Sequence, residues 1–154
     1  MQKLVQCAFP GFHDTKTSVG LLVLRLLTGF GIMLHGWGKV SAGHERMAGV
    51  ANMVGLPAPF GYMAAFTEFF GGILINLGLL TPLAAIALIV TMIVAAIHHI
   101  TSGDPFIGGY ELASVYLVTF FAILMAGPGK FSVDYALFKN KASTGVAPPA
   151  AAPE

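Results

Sequence analysis

Residues 24–40, LRLLTGFGIMLHGWGKV, decide how this chain is read. The stretch is apolar enough to lie in a lipid bilayer. It nevertheless carries Arg25, His35 and Lys39, three basic groups that hydrocarbon disfavours. Such a segment is tolerable only if other parts of the chain answer those groups inside a bundle.

The rest of the composition supports a bilayer setting. Of 154 residues, 56% are hydrophobic and only 10% charged. Soluble domains carry about 25% charged residues, so this chain could not cover a water-facing surface. Its length suits one domain, and its mean hydropathy is +0.79. A net charge of +1, with no basic patch or stacking motif, excludes a nucleic-acid partner. Cys7 is the single cysteine, which excludes an internal disulfide, a CxxC couple and a cysteine zinc site.

Four apolar segments, near 19–39, 60–80, 82–100 and 110–127, each approach the ~20 residues a spanning helix needs. The expected fold class is therefore all-α, a bundle of four transmembrane helices. Residues 1–18 contain no apolar core of signal-peptide length and read as a cytosolic or interfacial segment. Residues 19–138 form the membrane domain, and the Ala/Pro-rich residues 139–154 read as a disordered tail. Thr81-Pro82 makes a short turn with Pro at a helix start, and Ser132 is placed to cap a short helix after the fourth span. The stretch between the first two spans, SAGHERMAGVANMVGLPAP, reads as a polar and then Gly/Pro-rich loop.

Counting Lys and Arg near the segment ends gives five on one side (Lys3, Lys16, Lys130, Lys139, Lys141) against two on the other (Lys39, Arg46). The positive-inside rule then puts both termini in the cytoplasm. The expected location is a bacterial cytoplasmic (inner) membrane.

At 100° per residue, Arg25, Thr28, His35 and Lys39 share an arc of about 80° on the first span. On the second, Glu68 lies on a face of Gly61, Ala64, Ala65, Gly71 and Gly72, and small residues permit close helix approach in lipid. Asn76 follows two turns later. His98 and His99 end the third span, and Glu111 begins the fourth. In an alternating bundle His35, Lys39, Glu68, His98, His99 and Glu111 converge on the extracytoplasmic half, whereas Arg25 and Asn76 lie nearer the cytoplasm. The candidate pocket is Arg25, His35, Lys39, Glu68, Asn76, His98, His99 and Glu111, with Glu68, His35 and His98 as candidate proton-handling residues.

Each group also has a structural reading. Arg25 would pair with Glu68 to fix helix register, Lys39 would snorkel to the interface, and Trp37 would anchor there. His98 and His99 point about 100° apart, which argues against one shared metal, and neither a metal nor haem is expected.

The motifs R-x3-G-x5-HG-x2-K in the first span, TEFFGG in the second, a His closing the third and GPGKFSVD after the fourth together resemble the DoxX family of small four-helix bacterial membrane proteins. That resemblance implies a redox association. The family includes the large subunit of a thiosulfate:quinone oxidoreductase, so a quinone, a small sulfur oxyanion and a second redox subunit are the implied ligands and partners. The absence of CxxC separates this chain from four-helix proteins that run disulfide chemistry. Two readings compete: a quinone- or sulfur-linked oxidoreductase subunit with a buried polar pocket, and a non-enzymatic anchor or assembly subunit for other redox proteins. Solute transport is disfavoured by the absence of repeat symmetry and broken helices.

Overall fold

The computed structural model describes residues 14–143, with side chains through Phe138. The expectations for Cys7, the first 13 residues and the tail beyond 143 lie outside the described residues. Among the described residues there is no strand, and four helices are long and apolar enough to cross a membrane.

Helix α1 (Thr15–Ser41) starts at Asp14, whose carboxylate accepts the Thr17 N–H at 3.0 Å. A short α2 (His44–Met53) follows, then α3 (Ala58–Leu77) and α4 (Thr81–Thr101). A wide turn, Phe106–Tyr110, leads into α5 (Glu111–Ala126), and α6 (Val133–Ser143) completes the described chain. The spans alternate in direction. One end of the bundle therefore collects α2 (the α2 end) and the other collects α6 (the α6 end).

The 41–59 stretch expected as a loop contains α2. Glu45 sits in its first turn, where the helix dipole favours an acid. Met47 and Ala51 are buried on one side while His44, Glu45 and Arg46 stay exposed. That two-faced pattern covers only ten residues, too few for a clear periodic signal. α6 reaches Ser143, past the expected boundary at 138.

α1 packs chiefly on α3, α3 on α4, and α4 on α5. The α1–α3 seam is glycine-built. A Cβ on Gly72 would come within 2.6 Å of the Gly29 carbonyl oxygen, and one on Gly36 within 2.7 Å of Phe69 Cα. Backbones this close gain dispersion contacts that larger side chains would forbid. The apolar core of Ile32, Ile75, Leu88, Met92, Phe120 and Ile123 joins all four spans.

Arg25 is fully buried, but it does not meet Glu68. Its Nη2 donates to the Phe131 carbonyl at 2.5 Å, in the segment after α5. The guanidinium lies against Gly78, whose φ of +63° closes the C-terminus of α3, where a cation suits the helix dipole. Asp134, within electrostatic reach of Arg25, accepts the Leu80 and Thr81 N–H groups at 2.9 Å each and so caps α4. Its own N–H donates to the Gly78 carbonyl at 2.9 Å. Ser132 caps α6 as expected, accepting the Tyr135 N–H at 3.1 Å. The post-α5 segment thus locks the α6 end. The expected Arg25–Glu68 register pair is replaced by this lock, because Arg25 lies level with the end of α3, about 15 Å of helix from the height of Glu68.

Candidate functional site

The α1–α3 seam also positions the charged pair at the α2 end. Side chains on a helix lean toward its N-terminus, so Lys39 runs back along α1 toward the bundle interior. Its Nζ donates to Glu68 Oε1 at 2.5 Å. Glu68 is 3% exposed and the Lys39 side chain 24%. Lys39 therefore pairs across the seam instead of snorkelling away from it.

Only half of the carboxylate is used by this pair. Glu68 Oε2 is buried with no hydrogen-bond partner. Buried polar atoms are almost always satisfied, so an orphaned carboxylate oxygen marks a place where a proton, water or ligand belongs.

Beside it lies a cavity of about 560 Å³ enclosed by α2, α3, α4 and the end of α1. Its polar lining comes from Lys39, Arg46, Thr67, Glu68, Thr91, His98 and His99. The rest is apolar, including Met53, Leu56, Phe60, Met63, Val90 and Val94. Phe60, Met63 and Val90 are exposed, so the cavity wall is open along the α3/α4 crevice. Its size lies within the ordinary range for small-molecule sites, about 300–1,000 Å³.

Of the eight pocket residues expected from sequence, Lys39, Glu68, His98 and His99 meet in this cavity. Arg25 belongs to the α6 end. Asn76 lies lower on the seam with its Oδ1 pressed toward Gly29 and unpartnered. Glu111 is exposed at the start of α5. His35 is exposed on the α5 side of α1, its Nδ1 3.2 Å from the Gly31 carbonyl and its ring edge-on to Tyr116 at 6.2 Å. None of these four lines the cavity. His99 Nδ1 also lies 2.7 Å from Asp104 Oδ2, which connects the cavity rim to the loop after α4.

Arg46, Thr67 and Thr91 are the polar lining groups that sequence reasoning missed. Thr91 lies seven residues before His98, hence on the same face of α4, a spacing legible in the sequence. Arg46 required knowing that α2 folds over α3. Among the described residues, no three His, Cys, Asp or Glu side chains cluster closely enough to hold a metal ion.

The arrangement can bind a polar headgroup, donate hydrogen bonds from Lys39 and His98, and take up or release a proton at Glu68. Lys39 and Arg46 outnumber Glu68 in formal charge, so an anion is tolerated as well.

The chain has recognisable relatives among known proteins. The sequence model for the family DoxX matches residues 20–100. The chain is 31% identical over 123 residues to a Bacillus subtilis (strain 168) protein named "Putative oxidoreductase CatD", covering 80% of this chain and 90% of that protein. It is 33% identical over 125 residues to an uncharacterized protein of Haemophilus influenzae, covering 78% of this chain and 92% of that one. No solved structure matches the chain at a significant level.

Proposed function

The chain belongs to the DoxX family of membrane proteins, and on that premise we propose that it is a redox-associated subunit whose Lys39–Glu68 cavity binds a quinone headgroup near the extracytoplasmic face. The observation that carries this reading is Glu68, buried, bonded to the Lys39 ammonium and with Oε2 unpartnered, in the wall of a cavity shared by α2, α3 and α4. The oxidoreductase name of the Bacillus relative is consistent with it.

The residues present fit such a headgroup. Lys39 would hold one ring oxygen by a charged hydrogen bond, and His98 would serve another from α4. Glu68 is the proton carrier, because its second oxygen has no competing partner. The His99–Asp104 pair at the rim would exchange that proton with the aqueous side. When bound, a quinone supplies the two-electron acceptor, taking two electrons and two protons to become the quinol. No side chain here carries two electrons, so the electrons must come from a second subunit. Oxidation of two thiosulfate ions to tetrathionate would release the required pair. Lys39 and Arg46 would also attract such an oxyanion. His35, on the far side of α1, has no part in this scheme.

The test is reconstitution of the full-length protein in liposomes with decylubiquinone and thiosulfate, with and without co-purifying proteins. Quinone reduction that falls at least tenfold in Glu68→Gln, at unchanged folded amount, supports the reading. Absence of both quinone binding and reduction in every arm overturns it. If the alternative role as an anchor or assembly subunit holds, Glu68→Gln lowers abundance while activity per folded molecule stays the same.

A further inference from the structure

The cavity does not end at its polar groups. A second, shallower groove of about 290 Å³ continues from it along the α3/α4 crevice toward the α6 end. The two share Thr67 and Ala87. Beyond that junction the groove is walled by Phe66, Phe70, Gly71, Leu74, Leu83 and Ala84, and Thr67 is its only polar side chain.

The helix register makes this one continuous track. On α3 the lining positions Phe60, Ala64, Thr67, Gly71 and Leu74 recur every three or four residues, so they form a single stripe. On α4 the positions His98, Val94, Thr91, Ala87 and Ala84 do the same in the opposite direction. The stripes face each other from Phe60 to Leu74, roughly 21 Å at about 1.5 Å per residue. All its charged groups lie at the α2 end. Below Ala87, Gly71 and Ala84 are buried and form the floor, while Phe66, Phe70 and Leu83 stand half-exposed as a rim.

We infer that the ligand of this site is an amphipathic lipid, a quinone carrying a long alkyl or isoprenoid chain, which enters sideways between α3 and α4 and lays that chain in the Phe66–Ala84 groove. This rests on the quinone reading of the headgroup cavity. The charged end with its orphaned carboxylate oxygen fixes the head. The groove is the apolar continuation of that same cavity. A water-soluble ligand would leave the groove unused. A membrane quinone matches both halves, polar at one end and apolar for the remainder.

The experiment compares two radiolabelled ligands with the same benzoquinone ring, one bearing a decyl chain and one bearing only methyl. Each is titrated against the full-length protein in nanodiscs. Leu83→Trp narrows the groove from a position outside the headgroup cavity, and Phe70→Ala removes part of its rim. Leu112→Trp, on the exposed outer face of α5, controls for membrane partitioning and added bulk. The expected result is a roughly tenfold loss of decyl-quinone affinity in Leu83→Trp and a threefold loss in Phe70→Ala. Leu112→Trp is unchanged, and the methyl analogue binds every variant alike. Equal loss for both ligands, or no loss for the decyl ligand in either groove variant, overturns the chain-groove assignment while leaving headgroup binding intact. Failure of the wild-type protein to bind either ligand overturns the quinone reading itself.

Discussion

Replacing Lys39 by methionine isolates the energetics of the site, since methionine keeps most of the apolar stem and removes only the charge. The wild-type pair has Glu68 3% exposed and Lys39 24%, with a 2.5 Å contact. Removing one member of a buried pair costs about 3–5 kcal/mol, because the remaining charge stays desolvated and uncompensated. Lys39 is a quarter exposed, so the lower figure applies, and Lys39→Met should destabilise by about 3 kcal/mol. Glu68→Gln should cost only about 1 kcal/mol, the value of an ordinary hydrogen bond, because the freed lysine can turn toward the interface. The double variant leaves no buried charge and should return to within about 1 kcal/mol of wild type. For a chain of this size each kcal/mol moves the melting temperature by about 2–4 °C. Thermal unfolding of detergent-solubilised protein should therefore show a drop of roughly 6–12 °C for Lys39→Met and substantial recovery in the double variant. A double variant no more stable than Lys39→Met alone would refute the account of a charge pair held in a low-dielectric seam.

The same assay checks four further expectations. Asp134→Ala removes two charge-assisted bonds to the start of α4 and should cost about 2–3 kcal/mol, with Asp134→Asn falling between it and wild type. Arg25→Lys should not restore the stability lost in Arg25→Met, since a lysine ammonium cannot reproduce the planar guanidinium that reaches the Phe131 carbonyl through Nη2 while resting against Gly78. Gly72→Ala places a methyl against the Gly29 carbonyl and should destabilise by about 1–3 kcal/mol. Gly38→Ala, with nothing within 4 Å of the new methyl, should instead stabilise α1 by roughly 0.5–1 kcal/mol.

Much of this was legible in the sequence because a bilayer permits few solutions. Long apolar runs can only be helices there, and the four spans fall within a few residues of their expected limits, Thr15–Ser41 being the most extended. The meeting of Lys39, Glu68, His98 and His99 followed from alternation of the spans alone. The partner of Arg25 did not. It is a backbone carbonyl 106 residues away, and no side-chain pattern encodes that. The position of His35 was misjudged for a related reason. An arc about 80° wide is broader than the contact of α1 with α3, so its edge faces Tyr116 on α5 instead. α2 went unseen because ten residues with two buried positions carry too little periodicity.

The lock at the α6 end bears on how the molecule is made. Arg25 enters the membrane with α1, whereas Phe131 and Asp134 are synthesised more than a hundred residues later. Until then the guanidinium lacks its native company, and the turn at Leu80, held left-handed at φ 48°, lacks the carboxylate that caps it. The α6 end of the bundle therefore closes only once the segment after α5 has been made. A nascent chain interrupted after α5 would have all four described spans yet lack the residues that hold their α6 end together.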